Sequence, residues 1–165
     1  MQFVIIVILI MMSAFFSAAE TAYSSVNRIR LKSMSENGSR GAERALKILK
    51  KYDKALTTIL IGNNVVNIAT SSIATMLAVV LLGEKYGSLV ATVVTTLVVL
   101  IFGEILPKSI AKDFAEPICV AISAVLSFLM LIFTPFSAFF IMLKKGISKL
   151  IHKKSSVSVT EEELM

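Results

Sequence analysis

The chain has 165 residues, 56% of them apolar, and a formal net charge of +6. The apolar residues stand in long blocks, which excludes a water-soluble domain of this size, because its surface would need far more polar side chains. Nearly all the Lys and Arg flank those blocks and read as membrane-orienting charge, so nucleic acid is not an expected partner and the lipid bilayer is.

A helix needs roughly 20 apolar residues to cross a bilayer core, and four blocks can be tested against that length. The first covers residues 3–26 and ends at "NRIRLK". Its small residues could suit a cleaved secretory signal, but no Lys or Arg precedes the apolar core. Arg28, Arg30, Lys32, Arg40 and Arg44 crowd the segment that follows it. Positive charge stays cytoplasmic, so this block is predicted to span with its N-terminus outside. Within 27–54, "ENGSRG" supplies a break, and "GAERALKILKKYDKAL" has the apolar spacing of an amphipathic helix lying along the inner surface.

The second block, 55–82, carries the chain outward and closes at "GEKYG", a short external turn. The third, 88–107, returns it to the cytoplasm. The fourth, 118–143, lies between Pro117 and "KKGISK" and is interrupted by Pro135. If it spanned, the Lys-rich tail would lie outside, against the charge rule. Pro135 cannot continue a helix ladder undisturbed, and Thr134 occupies the restricted position before it. A hairpin that enters from the inside and turns back near "FTPFS" meets both constraints, with its non-helical backbone buried in protein or lining a watery cavity. The predicted fold class is therefore all-α integral membrane, with three transmembrane helices, a juxtamembrane re-entrant helical hairpin and both long basic segments cytoplasmic. Residues 1–143 form the transmembrane domain and 144–165 a basic-then-acidic linker. The lone Cys119 has no intrachain disulfide partner.

Polar residues inside apolar blocks are functional candidates in a membrane. The first block offers Ser17, with Thr21 and Ser24 on the same face at helical spacing, and Glu20 beside them. The second offers Asn63, Asn64 and Asn67 on one arc, with Gly62 permitting close approach of a neighbour. Three amides need many hydrogen-bond partners, more than ordinary interhelical bonding explains. The third block ends in "GEILPK", where Pro107 has no N–H and so frees the carbonyl four residues earlier, that of Gly103. Glu104 then stands next to a freed carbonyl oxygen. Hard oxygen ligands of this kind suit Mg2+, Ca2+ or Na+. The bland alternative is a proline kink with Glu104 paired to Lys108 one helical turn on.

The ordered set "FFSAAETA", "GNNVVN" and "GEILPKSIA" resembles the transmembrane domain of the CorC and cyclin-M (CNNM) magnesium transport proteins, over essentially the whole chain. That resemblance implies a homodimer in the plasma membrane that exports Mg2+, with Na+ as the counter-ion, and no enzyme activity. It places Ser17, one or more of Asn63, Asn64 and Asn67, and Gly103 with Glu104 around the ion, while Pro107 holds the distorted helix. It also implies a longer protein, in which cytoplasmic CBS domains follow the acidic "EEE". Two other expectations stay open: a non-transporting Mg2+ sensor or scaffold, and a transporter of another small cation or of protons.

Overall fold

The computed structural model describes residues 1–136 and Met142, and among them every regular element is helical. Helix α1, Gln2–Ser25, is about 36 Å long at about 1.5 Å per residue, enough for the bilayer core. It stops where Val26 turns extended, and Asn27 then caps α2, Arg28–Glu36, by accepting the N–H groups of Ile29 at 2.9 Å and Arg30 at 3.3 Å. Gly38, with φ of +89°, reverses the chain, and Ser39 caps α3, Arg40–Leu49. Helix α4, Tyr52–Leu82, has 31 residues and overshoots the bilayer core.

The expected "GEKYG" turn contracts to one residue. Gly83, with φ of +78°, ends α4, and the next residue already opens α5, Glu84–Val98. From there the chain stays helical to Asp113. A π-helical segment, Val99–Ile105, joins α5 to α6, Leu106–Asp113, and Pro107 sits in the first turn of α6. Its missing N–H falls where the ladder changes from π to α pitch. The last described helix, α7, is Ala115–Ile132.

Helix α1 is the hub and packs on α4, the π segment, α6 and α7, while α5 pairs with α4. The core between them includes Phe16, Ala19, Ala22, Tyr23, Ile59 and Val66. The apolar stripe of α3 (Ala42, Ala45, Ile48, Leu49) is buried by protein and not by membrane, and α7 packs on it in a core that includes Cys119, Leu126 and Met130. Contact is close, since a Cβ on Gly41 would stand 2.6 Å from Val120 Cγ1. The Tyr23 hydroxyl donates to the Cys119 carbonyl at 3.3 Å, and Arg30 pairs with Glu116 at 3.7 Å, so α1 and α2 both brace α7.

Four helical stretches, not three, are long and apolar enough to cross a membrane by length and composition: α1, α4, Glu84–Asp113 and α7. The fourth arises because α7 alone reaches 18 residues before the chain turns at Phe133. The returning limb of the expected hairpin, 137–143, and the linker 144–165 lie outside the described residues, Met142 excepted.

Candidate cation site

Three helices bring polar side chains to one place beside α1. From α1, the buried Ser13 hydroxyl lies 3.1 Å from Asn63 Oδ1 and 2.7 Å from Asn67 Oδ1, both on α4. Asn67 turns its Nδ2 toward Glu104 Oε1, a long contact of 3.5 Å, so one amide links α1 to the π segment through both of its ends. Gly103 is buried against the same serine: a Cβ there would stand 2.9 Å from Ser13 Oγ. The missing side chain lets the π backbone press onto α1. Gly62 does the same on α4, where an added Cβ would run into the Phe16 ring.

Ser17 lies one turn further along α1, fully buried. Its hydroxyl has no hydrogen-bond partner among the described residues. Leaving a buried hydroxyl unsatisfied costs about 1–3 kcal/mol, and a helical serine can avoid that by donating to its own preceding turn. Ser123, Ser127, Thr58 and Thr70 all do so. Ser17 is therefore exceptional among the described residues.

Of the predicted residues, the structure gathers Asn63, Asn67, Gly103 and Glu104 around Ser13, with Ser17 one turn away on the same helix. Asn64 stands apart, exposed, its amide donating to the Leu60 carbonyl at 2.9 Å. Consecutive helical residues differ by about 100°, so Asn63 and Asn64 cannot both face α1. Ser13 is the residue that sequence reasoning missed. The signal was present, because Ser13 and Ser17 are four apart and share a face.

The π register changes which carbonyl Pro107 bears on. In an i to i+4 ladder the absent donor falls opposite Gly103, but here the Leu106 N–H reaches back five residues to Ile101. Continued one step, that register puts Phe102, not Gly103, opposite Pro107. Both carbonyls lie where the ladder changes pitch, next to Glu104. Lys108 does not pair with Glu104: its ammonium lies 3.2 Å from Glu20 on α1, one turn beyond Ser17. Among the cluster's own residues, Glu104 is the single carboxylate.

Oxygens converge here: two amide oxygens face the Ser13 hydroxyl, and the Glu104 carboxylate stands beside the Asn67 amide. One Ser13 proton can serve only one of the two amide oxygens that face it, and Glu104 accepts only. Among the described residues no three His, Cys, Asp or Glu gather as a metal cluster. What the arrangement can offer a cation is hydroxyl, amide and backbone oxygen with one negative charge, a set suited to hard ions and not to thiophilic metals.

Comparison with known proteins covers nearly the whole chain. Positions 4–165 match the family described as Cyclin M transmembrane N-terminal domain. A "UPF0053 protein" of Haemophilus influenzae is 38% identical over 165 residues, covering 98% of this chain and 39% of the relative. The "UPF0053 inner membrane protein YfjD" of Escherichia coli is 42% identical over 123 residues, 74% of this chain and 28% of that protein. A "Polyamine export protein" of Haemophilus influenzae is 26% identical over 147 residues, 82% of this chain and 34% of the relative. The chain thus spans less than half the length of these relatives.

Proposed function

The chain belongs to the cyclin M transmembrane-domain family, and from that premise we propose that it is the membrane domain of a Mg2+ transporter whose ion passes through the Ser13–Asn67–Glu104 cluster. The observation that carries the proposal is the orphaned Ser17 hydroxyl, buried on the helix face that also presents Ser13 to two amide oxygens and approaches Glu104. A cation bridging these oxygens satisfies Ser17 and relieves the crowding of lone pairs at Ser13. One carboxylate compensates a divalent ion only in part, which favours release as well as binding. A π segment whose carbonyls change partners at the site is the kind of broken helix that transporters use for ion coordination.

Charge and packing support the membrane placement. Residues 27–54 are cytoplasmic and the N-terminus is outside, so the Glu20–Lys108 pair lies on the cytoplasmic side of the cluster. Helix α7 supports the juxtamembrane hairpin reading despite its length. Its inner face rests on α3, whose other face carries Arg40, Glu43, Arg44 and Lys47, and a full crossing would drag those charges into hydrocarbon. The proposal takes the functional unit to be a homodimer of a longer protein in the plasma membrane, with CBS domains beyond this chain and Na+ as the counter-ion.

The test is Mg2+ flux from the purified chain reconstituted in liposomes. The expected result is Mg2+ movement down an imposed gradient that speeds up when Na+ is supplied on the opposite side. An unaltered rate on changing Na+ counts against exchange, and Mg2+ binding without flux in any gradient favours the sensor reading. A second substrate is raised by the relative named for polyamine export. Spermidine movement faster than Mg2+ movement through the same liposomes would favour it.

Ser13→Ala removes the hydroxyl that both amides face. It should weaken Mg2+ affinity by about tenfold, the lower end of what lost ligand support costs at metal sites. Flux measured against Mg2+ concentration checks this, and the expected change is in the half-saturating concentration, with dimer content unaltered.

A further inference from the structure

Away from the cation cluster, four lysines surround the junction of α3 and α4. Lys47, Lys50, Lys51 and Lys54 flank the break between the two helices. They line a cavity of about 370 Å³ whose far wall belongs to α7. That wall is mixed: Ser127 contributes a hydroxyl, while Met130 and Leu131 are apolar. A second cavity, of about 410 Å³, runs along residues 49–54 at the same corner.

One of the four lysines is fixed in place. Lys54 is half-buried, and its ammonium donates to Thr134 Oγ1 at 2.8 Å, eighty positions along the chain, which fixes it against the α7 side. An ammonium has three donors, so two remain on Lys54. Lys47 is drawn back to Glu43 at 2.6 Å and contributes less. Asp53, in the first turn of α4, is the acidic group at this corner. The backbone adds to the field, because Lys51, at the N-cap of α4, forms no side-chain cap to the first-turn N–H groups. Those groups begin a 31-residue helix whose dipole favours an anion here.

Depth decides the kind of anion. The cavity's apolar wall is continuous with the exposed lipid-side residues of α7, where Leu131 is 71% and Phe128 62% exposed. On the topology proposed above, its basic wall lies at the cytoplasmic start of α4. A ligand that fills both walls has a phosphate at its head and hydrocarbon beside it. We propose that this pocket binds the phosphate of an anionic phospholipid, with Lys50, Lys51 and Lys54 holding the headgroup and Met130 and Leu131 flanking the first acyl carbons. Basic pockets at helix junctions on the cytoplasmic side are suited to such headgroups.

The experiment is native mass spectrometry of the purified chain, released from nanodiscs containing equal amounts of phosphatidylglycerol and phosphatidylcholine. The expected result is selective retention of phosphatidylglycerol. In the Lys50→Gln/Lys51→Gln double variant retention falls by about 30-fold, from about fivefold per lysine. Both side chains are exposed, so the fold should tolerate their loss. Ser127→Phe keeps every charge and fills the pocket from the α7 side. It should also abolish selective retention, whereas full retention would mean diffuse surface attraction and overturn the pocket. Lys85→Gln, at the start of α5, should change nothing. Equal retention of both lipids, or of phosphatidylglycerol by wild type and the double variant, would overturn the proposal. Competition by millimolar inorganic phosphate that strips the lipid completely would reassign the pocket to a soluble phosphate.

Discussion

Glu104→Gln, reconstituted in liposomes, should lose Mg2+ flux by about 100-fold or more while remaining folded. Loss of an outer-shell partner costs metal sites about 10–100-fold, and Glu104 is the cluster's single negative charge, so its removal should reach or pass the upper end. No nearby acid can substitute. Glu20 is committed to Lys108 at 3.2 Å, and no cluster of three acidic or soft ligands exists among the described residues. The fold should survive, because Glu104 is half-buried on a helix face and makes one long contact, to Asn67 at 3.5 Å, outside the apolar core. Glutamine keeps the side-chain length and can still meet Asn67, so a loss of flux reads on charge alone. Flux equal to wild type would remove Glu104 from the pathway. Retained Mg2+ binding with no flux in the variant would separate binding from transport and strengthen the sensor reading.

The parts of this site that could be read from sequence are those set by one helix at a time. Ser17 and the asparagines stand out because amides and hydroxyls are costly inside apolar blocks, and Pro107 after Gly103 announces a disturbed ladder. The residues that depend on two helices were harder to see. Asn64 separates from Asn63 only once the face of α4 that meets α1 is known, and the Phe16–Gly62 contact decides that. The π register is a further case: a proline predicts an unpaired carbonyl, but the pitch of the preceding turn decides which one. Lys108 illustrates the same limit. By spacing alone its partner would be Glu104, yet Glu20 is nearer because α6 packs on α1. For α7, the charge rule supplied the hairpin expectation, whereas its companion, the apolar stripe of α3, was read as lying on the membrane surface when much of it lies on α7.

Gly87→Ala should unfold part of the domain and impair the site from a distance. A Cβ on Gly87 would lie 2.6 Å from Val79 Cα, 2.7 Å from the Ala78 carbonyl oxygen and 2.8 Å from Val79 N. All three are backbone atoms of α4, which no rotamer change can move, so α4 and α5 must separate. Overpacking of this kind costs about 1–3 kcal/mol, whereas Ser88→Ala, which adds no atom at the neighbouring exposed position, should be near neutral. Thermal unfolding in detergent, read as loss of the monodisperse chromatographic peak, should show a clear drop in midpoint for Gly87→Ala and none for Ser88→Ala. The same opening tilts α5 about its start at Gly83, whose φ of +78° already fixes the reversal. The π segment lies at the other end of that lever. Asn67 on α4 and Glu104 on the π segment are 3.5 Å apart, at the edge of a hydrogen bond, so even a small tilt breaks the contact. Gly87→Ala should therefore lower Mg2+ flux per folded molecule as well as the yield of folded protein. Full flux per folded molecule would show that the α4–α5 hairpin does not set the geometry around Glu104.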